Sequence, residues 1–279
     1  MLAALGSSHD LALGTWNGNG LFCCSDFDKM QRKVKLVRKI LRSCKILCLQ
    51  ETHGDWCILR KQFRLELRNF WFFASFGARN VGGIVTFVSK DLVPDHSDIS
   101  DTVLSVGRAH RISINKNDAI MTIFNVHYFG LPRVDITRLC GSLTADADAS
   151  AADPLNFVSF ALGDWNLRQG LKFDYKNPSA PIQTDNSIAG DPLLRGALGR
   201  YTELDGQLPT RYSDVEDCAR KLDTIFTSLP SALIPLSRWS VTIPYDPKNL
   251  FRSGLSDHAP VVAFGFHSGG TIPGEPHSA

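Results

Sequence analysis

The sequence predicts an α/β chain in which strands outnumber helices. Three observations carry this. Nine short segments rich in β-branched and aromatic residues recur along the chain, only three segments show a helical period, and no Pro/Gly/Ser linker divides the 279 residues. The strand segments are 11–16, 45–50, 70–76, 83–89, 110–115, 119–126, 157–163, 222–228 and 260–266. The first helix is expected over 28–42, where Met30, Val34, Val37 and Leu41 form one apolar stripe. Lys29, Arg32, Lys33, Lys35, Arg38, Lys39 and Arg42 make up its basic outer face. A second helix is expected over 55–68 with Trp56, Leu59, Phe63 and Leu67 inward, and a third from about Arg133 to Leu143. The Ala/Asp run at 145–153, the polar stretch around 176–192 and the tail at 268–279 read as loop or terminus. One domain over 11–267 is expected, preceded by an extension at 1–10 and followed by a disordered tail at 268–279.

Composition narrows the function classes. With 43% apolar residues the chain can bury a large core, and a formal net charge of +2 excludes both an acidic disordered regulator and a polycation. Any affinity for a polyanion must therefore come from local patches. No apolar run has bilayer length, and the N-terminus lacks a basic segment followed by a sustained apolar one, so neither membrane insertion nor export is expected. Seven cysteines without a C-x-x-C spacing read as reduced thiols in an intracellular protein.

Six polar clusters follow or begin apolar strands, where side chains converge at one edge of a sheet. In order they are Trp16-Asn17-Gly18-Asn19-Gly20, Leu49-Gln50-Glu51-Thr52, Asn125-Val126-His127, Leu162-Gly163-Asp164-Trp165-Asn166, Leu222-Asp223-Thr224-Ile225-Phe226 and Ser256-Asp257-His258-Ala259-Pro260-Val261. Together they supply carboxylates, carboxamides and two imidazoles, the inventory of a divalent-metal phosphodiesterase. A phosphodiester's transition state gathers negative charge on its oxygens, so a cation and hydrogen-bond donors lower the barrier while a water is aimed from the other side. Taken singly, each residue has a plainer reading. Glu51 could be a solvated carboxylate, Asn17 a turn residue, Asp164 with Asn166 an Asx-turn, and His127 a satisfied core histidine.

The order of all six clusters, from residue 11 to about 266, resembles the endonuclease/exonuclease/phosphatase superfamily with its DNase I-like fold. The resemblance implies a four-layer sandwich, two mixed β-sheets packed face to face and flanked by helices. It implies Mg²⁺, with Mn²⁺ as a substitute, held by Glu51 and Asn17, with Asn19 nearby and Asp257 assisting at the metal or water. Asp164 would orient and deprotonate the attacking water, and Asn166 would position that water or the phosphate. Asp223 would hold His258 in one tautomer, His258 would donate to a phosphate oxygen, and His127 would be a second phosphate donor or the acid for the leaving oxygen.

Leu208-Pro209-Thr210-Arg211 resembles the Pro-Thr-Arg element of retroelement-type endonucleases and places Thr210 and Arg211 among candidate substrate contacts. Arg108, Arg133, Arg168, Arg238 and Arg252 are candidates for backbone contact, and Trp239 and Phe251 for stacking or wedging, with core packing as the alternative for Trp239. Arg220 stands three residues before Asp223, where abasic-site members commonly carry an aromatic, a departure that argues away from abasic-site specificity. The expectation is a Mg²⁺-dependent DNA endonuclease leaving 3′-hydroxyl and 5′-phosphate ends, acting as a monomeric domain, with RNA as an alternative substrate and a nuclear site if retroelement-derived. A phosphoesterase for inositol phosphates or lipids, and a non-catalytic nucleic-acid-binding module, are the competing readings.

Overall fold

A computed structural model describes residues 11–22, 26–78, 81–174, 177–184, 191–204, 209–230 and 239–265. The expected extension at 1–10 and tail at 268–279 lie outside the described residues. Along the chain run β1 (Leu11–Asn17), α1 (Phe27–Leu41), β2 (Ile46–Gln50), α2 (Trp56–Gln62), β3 (Phe70–Ser75), β4 (Ile84–Ser89), β5 (Ile99–Ser105), β6 (Ala109–Lys116) and β7 (Ala119–His127). Then follow α3 (Arg133–Ala152), β8 (Phe157–Asp174), β9 (Asn177–Thr184), α4 (Pro192–Leu198), β10 (Thr202–Glu203), β11 (Arg211–Ser213), β12 (Cys218–Thr227), β13 (Trp239–Thr242), α5 (Pro247–Arg252) and β14 (Val261–Gly265).

Two mixed sheets form the centre. One has the order β13-β14-β1-β2-β4-β3, and the other β10-β12-β8-β7-β6-β5, with β11 on β12 and β9 on β8. Between the sheets Leu13, Ile46, Cys48, Val88, Ile112, Ile123, Phe160, Ile225 and Val261 make a continuous core. The outer face of the first sheet, through Trp16, Leu47, Leu49, Val85 and Phe87, is covered by Met30, Val34, Val37 and Ile40 of α1 and by Leu59 of α2. The outer face of the second, through Phe124, Val126, Ala161 and Phe226, is covered by Ile136, Leu139 and Leu143 of α3 and Leu194 of α4. Each apolar face thus finds a partner layer, and the four-layer sandwich is the result.

The differences from the sequence reading have local causes. The Ala/Asp run at 145–153 is not a loop, because α3 continues to Ala152. Ala is the best helix former, and Asp146 is held to the sheet by a two-pronged ion pair with Arg111 at 2.9 and 2.8 Å. Residues 177–184 of the expected polar loop pair with β8 as β9. Lys33 does not belong to the outer face of α1: it is 1% exposed, and its ammonium donates to Gly18 O at 2.7 Å and Asn19 O at 2.6 Å. Trp56, expected inward, is 39% exposed and packs edge-on against Phe76.

The two sheets are also joined by polar groups. Gln50 Nε2 on β2 donates to Asn125 Oδ1 on β7 at 2.8 Å, while Asn125 Nδ2 donates to Val85 O and to Thr86 Oγ1, each at 3.1 Å. These fully buried carboxamides fix the sheets in one register, since any slip leaves them unpaired.

Candidate active site

Strand register brings the candidate residues together. Parallel pairing of β7 with β8 puts His127 opposite Asp164, and antiparallel pairing of β8 with β12 puts Asp164 opposite Asp223. On the facing sheet β1 ends at Asn17 opposite Gln50, the residue before Glu51. His258 precedes β14, whose antiparallel pairing with β1 returns it to the same edge. Ser256 Oγ donates to Asn17 O at 2.9 Å and Trp16 Nε1 to His258 O at 2.9 Å, so the Ser256–His258 turn is stitched to β1.

Several site residues adopt left-handed backbone, including Asn19 (φ 42°), Glu51 (φ 50°) and Asn166 (φ 50°). Such conformations persist for non-glycine residues only where surrounding bonds over-determine them. For Asn19 the determinant is Lys33, whose ammonium gathers the carbonyls of Gly18, Asn19 and Gly20. For Asn166 it is an irregularity in the β8–β12 pairing, where Lys221 opposes Arg168 and Asp223 opposes Asp164. The residues inserted on β8 redirect Asn166 toward Asp164.

Asp164 is the hub. Its Oδ2 accepts from Asn17 Nδ2 at 2.9 Å and its Oδ1 from Asn166 Nδ2 at 2.7 Å. The same Oδ2 lies 3.9 Å from both His127 Nε2 and His258 Nε2. Burial, opposed by His258 and reinforced by Asp223, raises its pKa to about 6. His258 Nδ1 meets Asp223 Oδ2 at 2.7 Å in a buried couple. Burial lowers the imidazole's pKa, but Asp223 and then Asp164 outweigh it and bring it to about 10, so His258 is a cation at neutral pH.

His127 behaves oppositely. Arg108 NH1 lies 2.8 Å from its Nδ1 and 3.5 Å from its Nε2, so the guanidinium rests against the ring. Burial first, then Arg108 and His258, push its pKa down to about 3, and the ring is neutral. Of the two expected roles, this arrangement favours a neutral donor over an imidazolium acid.

Asn17, Asn19, Glu51, His127, Asp164, Asn166, Arg211, Asp257 and His258 line one cavity of about 400 Å³, with Phe129, Arg220 and Leu222. Asp223 stands behind His258. The other expected contacts are elsewhere. Thr210 is fully buried, and its hydroxyl oxygen accepts from Leu222 N and Asp223 N at 3.0 Å each, so it holds β12 rather than a substrate. Trp239 pairs with Gly265 at the far end of β14 and, half-buried, packs 5.5 Å from Phe160 against the core between the sheets. Arg252 is exposed at the end of α5 and does not line the cavity. Phe251 packs on Tyr212, and Arg133 is paired with Asp191. The Arg168 side chain and Arg238 lie outside what the structure describes.

The oxygen donors fit a divalent cation on the Glu51 side of the cavity. Glu51 Oε1 is 3.3 Å from the neutral His127, and no cationic side chain is bonded to it among the described residues. Asn17 Oδ1, which accepts from Asn19 N at 2.9 Å, retains a lone pair. Asp257, expected to assist there, has both oxygens engaged, by Asn19 Nδ2 at 2.9 Å and Arg211 Nε at 2.8 Å. Asp164, Asp223 and His258 also have the proximity of a ligand set. Of these, His258 Nδ1 and Asp223 Oδ2 are already bonded to each other at 2.7 Å.

Solved structures with this architecture include an AP endonuclease, LMAP, from Leishmania major. It has a TM-score of 0.67 at 12% identity, covering 95% of this chain and 98% of that one. The truncated TDP2 of Caenorhabditis elegans has a TM-score of 0.57 at 16% identity, covering 92% and 97%. A 3′-5′ exonuclease, NExo, from Neisseria meningitidis has 0.57 at 16%, covering 92% and 100%. The chain has the DNase I-like fold. At these identities the likeness establishes the DNase I-like architecture alone, and no protein-family model and no curated protein matches the sequence.

Sequence reasoning passed over Lys33 as part of a solvated face and did not single out Phe129. Arg220 was noted only for the aromatic it replaces. The one sequence signal for Lys33 was its place beside the buried stripe of α1.

Proposed function

We propose that this chain is a divalent-metal-dependent phosphodiesterase acting on DNA, an endonuclease leaving 3′-hydroxyl and 5′-phosphate ends. The observation that carries the reading is the placement of Asp164, fixed by two carboxamides between a cationic and a neutral imidazole. A carboxylate with its pKa raised to about 6 is a stronger base than an ordinary one and is still deprotonated at neutral pH. Asp164 accepts a proton from water, whose oxygen attacks phosphorus as the P–O3′ bond breaks, and the departing O3′ takes a proton from solvent to become the 3′-hydroxyl. His258, charged through Asp223, donates from Nε2 to a non-bridging oxygen, and His127 adds a neutral donor on the other side. A divalent cation held by Glu51 and Asn17 would neutralise charge on the phosphate.

The names of two similar structures, an AP endonuclease and a 3′-5′ exonuclease, support action on nucleic acid. Arg220 in the cavity wall supports a substrate other than an abasic sugar. The Pro209-Thr210-Arg211 element supports a retroelement-type assignment and hence a nuclear site of action. The test is nicking of supercoiled plasmid with Mg²⁺ and with EDTA, followed by end-group analysis. Nicking that needs the metal and is abolished in Asp164→Ala is expected. Wild-type protein that cleaves neither the plasmid nor a single-stranded oligonucleotide refutes the proposal.

A further inference from the structure

The cavity carries two features that cleavage of a phosphodiester does not itself require. Arg211 and Arg220 are direct register partners on β11 and β12, and both line the cavity. Like charges placed opposite each other across two strands repel. Each is compensated by a carboxylate, Asp257 for Arg211 and Glu216 for Arg220. Arg211 spends only its Nε on Asp257, and its terminal amino groups make no hydrogen bond among the described residues. The pair is held firmly, since Tyr212 N donates to Asp257 O at 2.8 Å and Ala259 N to Thr210 O at 2.7 Å.

The second feature is Phe129, which follows β7 two residues after His127. It lines the cavity yet is 63% exposed. Its backbone is fixed from both sides: Arg108 NH1 donates to Phe129 O at 2.6 Å, and Tyr128 N donates to Asp164 O at 2.9 Å. Gly130, at φ 76°, turns the chain immediately afterwards. An apolar ring held in the open on a cavity that two guanidinium groups also line has the composition of a single-strand binding surface, with a π-face for a base and charge for the backbone.

We propose that Arg211 and Arg220 take a phosphate adjacent to the scissile one while Phe129 stacks on an unpaired base. The substrate is then a nucleic-acid strand with at least one unpaired nucleotide at the point of cleavage. This rests on the phosphodiesterase reading above and adds to it the form of the substrate. A base already stacked and paired within a duplex has no face to offer Phe129, and a cavity of about 400 Å³ is the size of a small-ligand site.

The experiment compares kcat/KM for one oligonucleotide sequence presented single-stranded, as a frayed fork and as a closed hairpin. Bis(4-nitrophenyl) phosphate serves as a diester with no second phosphate and no nucleobase. Wild type, Phe129→Ala, Phe129→Trp and Arg220→Gln are measured, with thermal melts to confirm folding. Because Phe129 is exposed, its truncation spares the core. The single strand and fork are expected to be cut in preference to the hairpin. The ratio of oligonucleotide to small-diester kcat/KM is expected to fall roughly tenfold in Phe129→Ala and Arg220→Gln, and to be retained in Phe129→Trp. Equal cutting of hairpin and single strand, or an unchanged ratio in both variants, overturns the proposal. Wild-type protein that hydrolyses none of the substrates overturns the phosphodiesterase reading beneath it.

Discussion

Replacing Asp223 by Asn removes the charge that sustains the His258 cation while keeping the shape of the side chain. His258 is raised from 6.5 to about 10 although burial pulls the other way. At ~1.4 kcal/mol per pH unit that is roughly 5 kcal/mol of preference for the protonated folded state. Because the folded pKa lies above the unfolded one, this stability is fully present below pH 6.5 and is lost as pH rises toward 10. Asp164, raised from 3.8 to about 6, contributes in the same sense but over a lower window, so it does not confuse the comparison above pH 6.5. Urea unfolding between about pH 6 and pH 10 should therefore show wild type losing several kcal/mol more than Asp223→Asn, whose His258 keeps Asp164 and Asp257 nearby but loses its bonded carboxylate. At the low end the variant should be about 3–5 kcal/mol less stable, the usual cost of orphaning one member of a buried pair. Imidazole NMR should place His258 in the variant well below its wild-type pKa. Parallel stability curves, or a variant His258 still titrating near 10, would refute the reasoning.

The pH–rate profile of the wild-type enzyme should rise through about pH 6 as Asp164 deprotonates and fall near pH 10 as His258 loses its proton; a falling limb displaced to lower pH in Asp223→Asn checks the assignment. Gly163→Ala should lower thermal stability sharply, because a Cβ there meets Val126 O at 1.8 Å and forces β7 from β8 beside Asp164; a melting temperature unchanged within about 2 °C would count against the register described. Lys33→Met should cost about 2–4 kcal/mol by leaving buried carbonyls unpaired, with Lys33→Arg milder, and its nicking should need more Mg²⁺ because Asn17 and Asn19 lose their anchored turn. A metal requirement identical to wild type would show the turn to be held by other contacts.

Strands buried on both faces were legible as apolar runs: the segment at 45–50 is β2 with one residue added, and 119–126 lies within β7. Several short strands and the edge strand β5 were not, although the edge strand β3 lies within the segment at 70–76. β13 and β11 bury one face or pair over three residues, too short for an alternation to register. The Ala/Asp run was misjudged because Asp146 resembles a solvated residue until Arg111 is brought across from β6.

The sequence by itself determined which residues have the chemistry of the candidate site and the order in which they occur, since strand-end polar clusters are visible wherever an apolar run stops. It also determined the helix stripe and the core-facing halves of most strands, because period and burial are local properties. What each candidate does was decided only in three dimensions. Two histidines of the same chemistry become a cation and a neutral ring because one meets Asp223 and the other Arg108. Thr210 becomes a brace, Trp239 a half-buried flank of the core and Phe129 part of the cavity wall because strand pairing assigns their neighbours. Protonation, burial and reach depend on what a side chain faces, and residues far apart in the chain supply that environment.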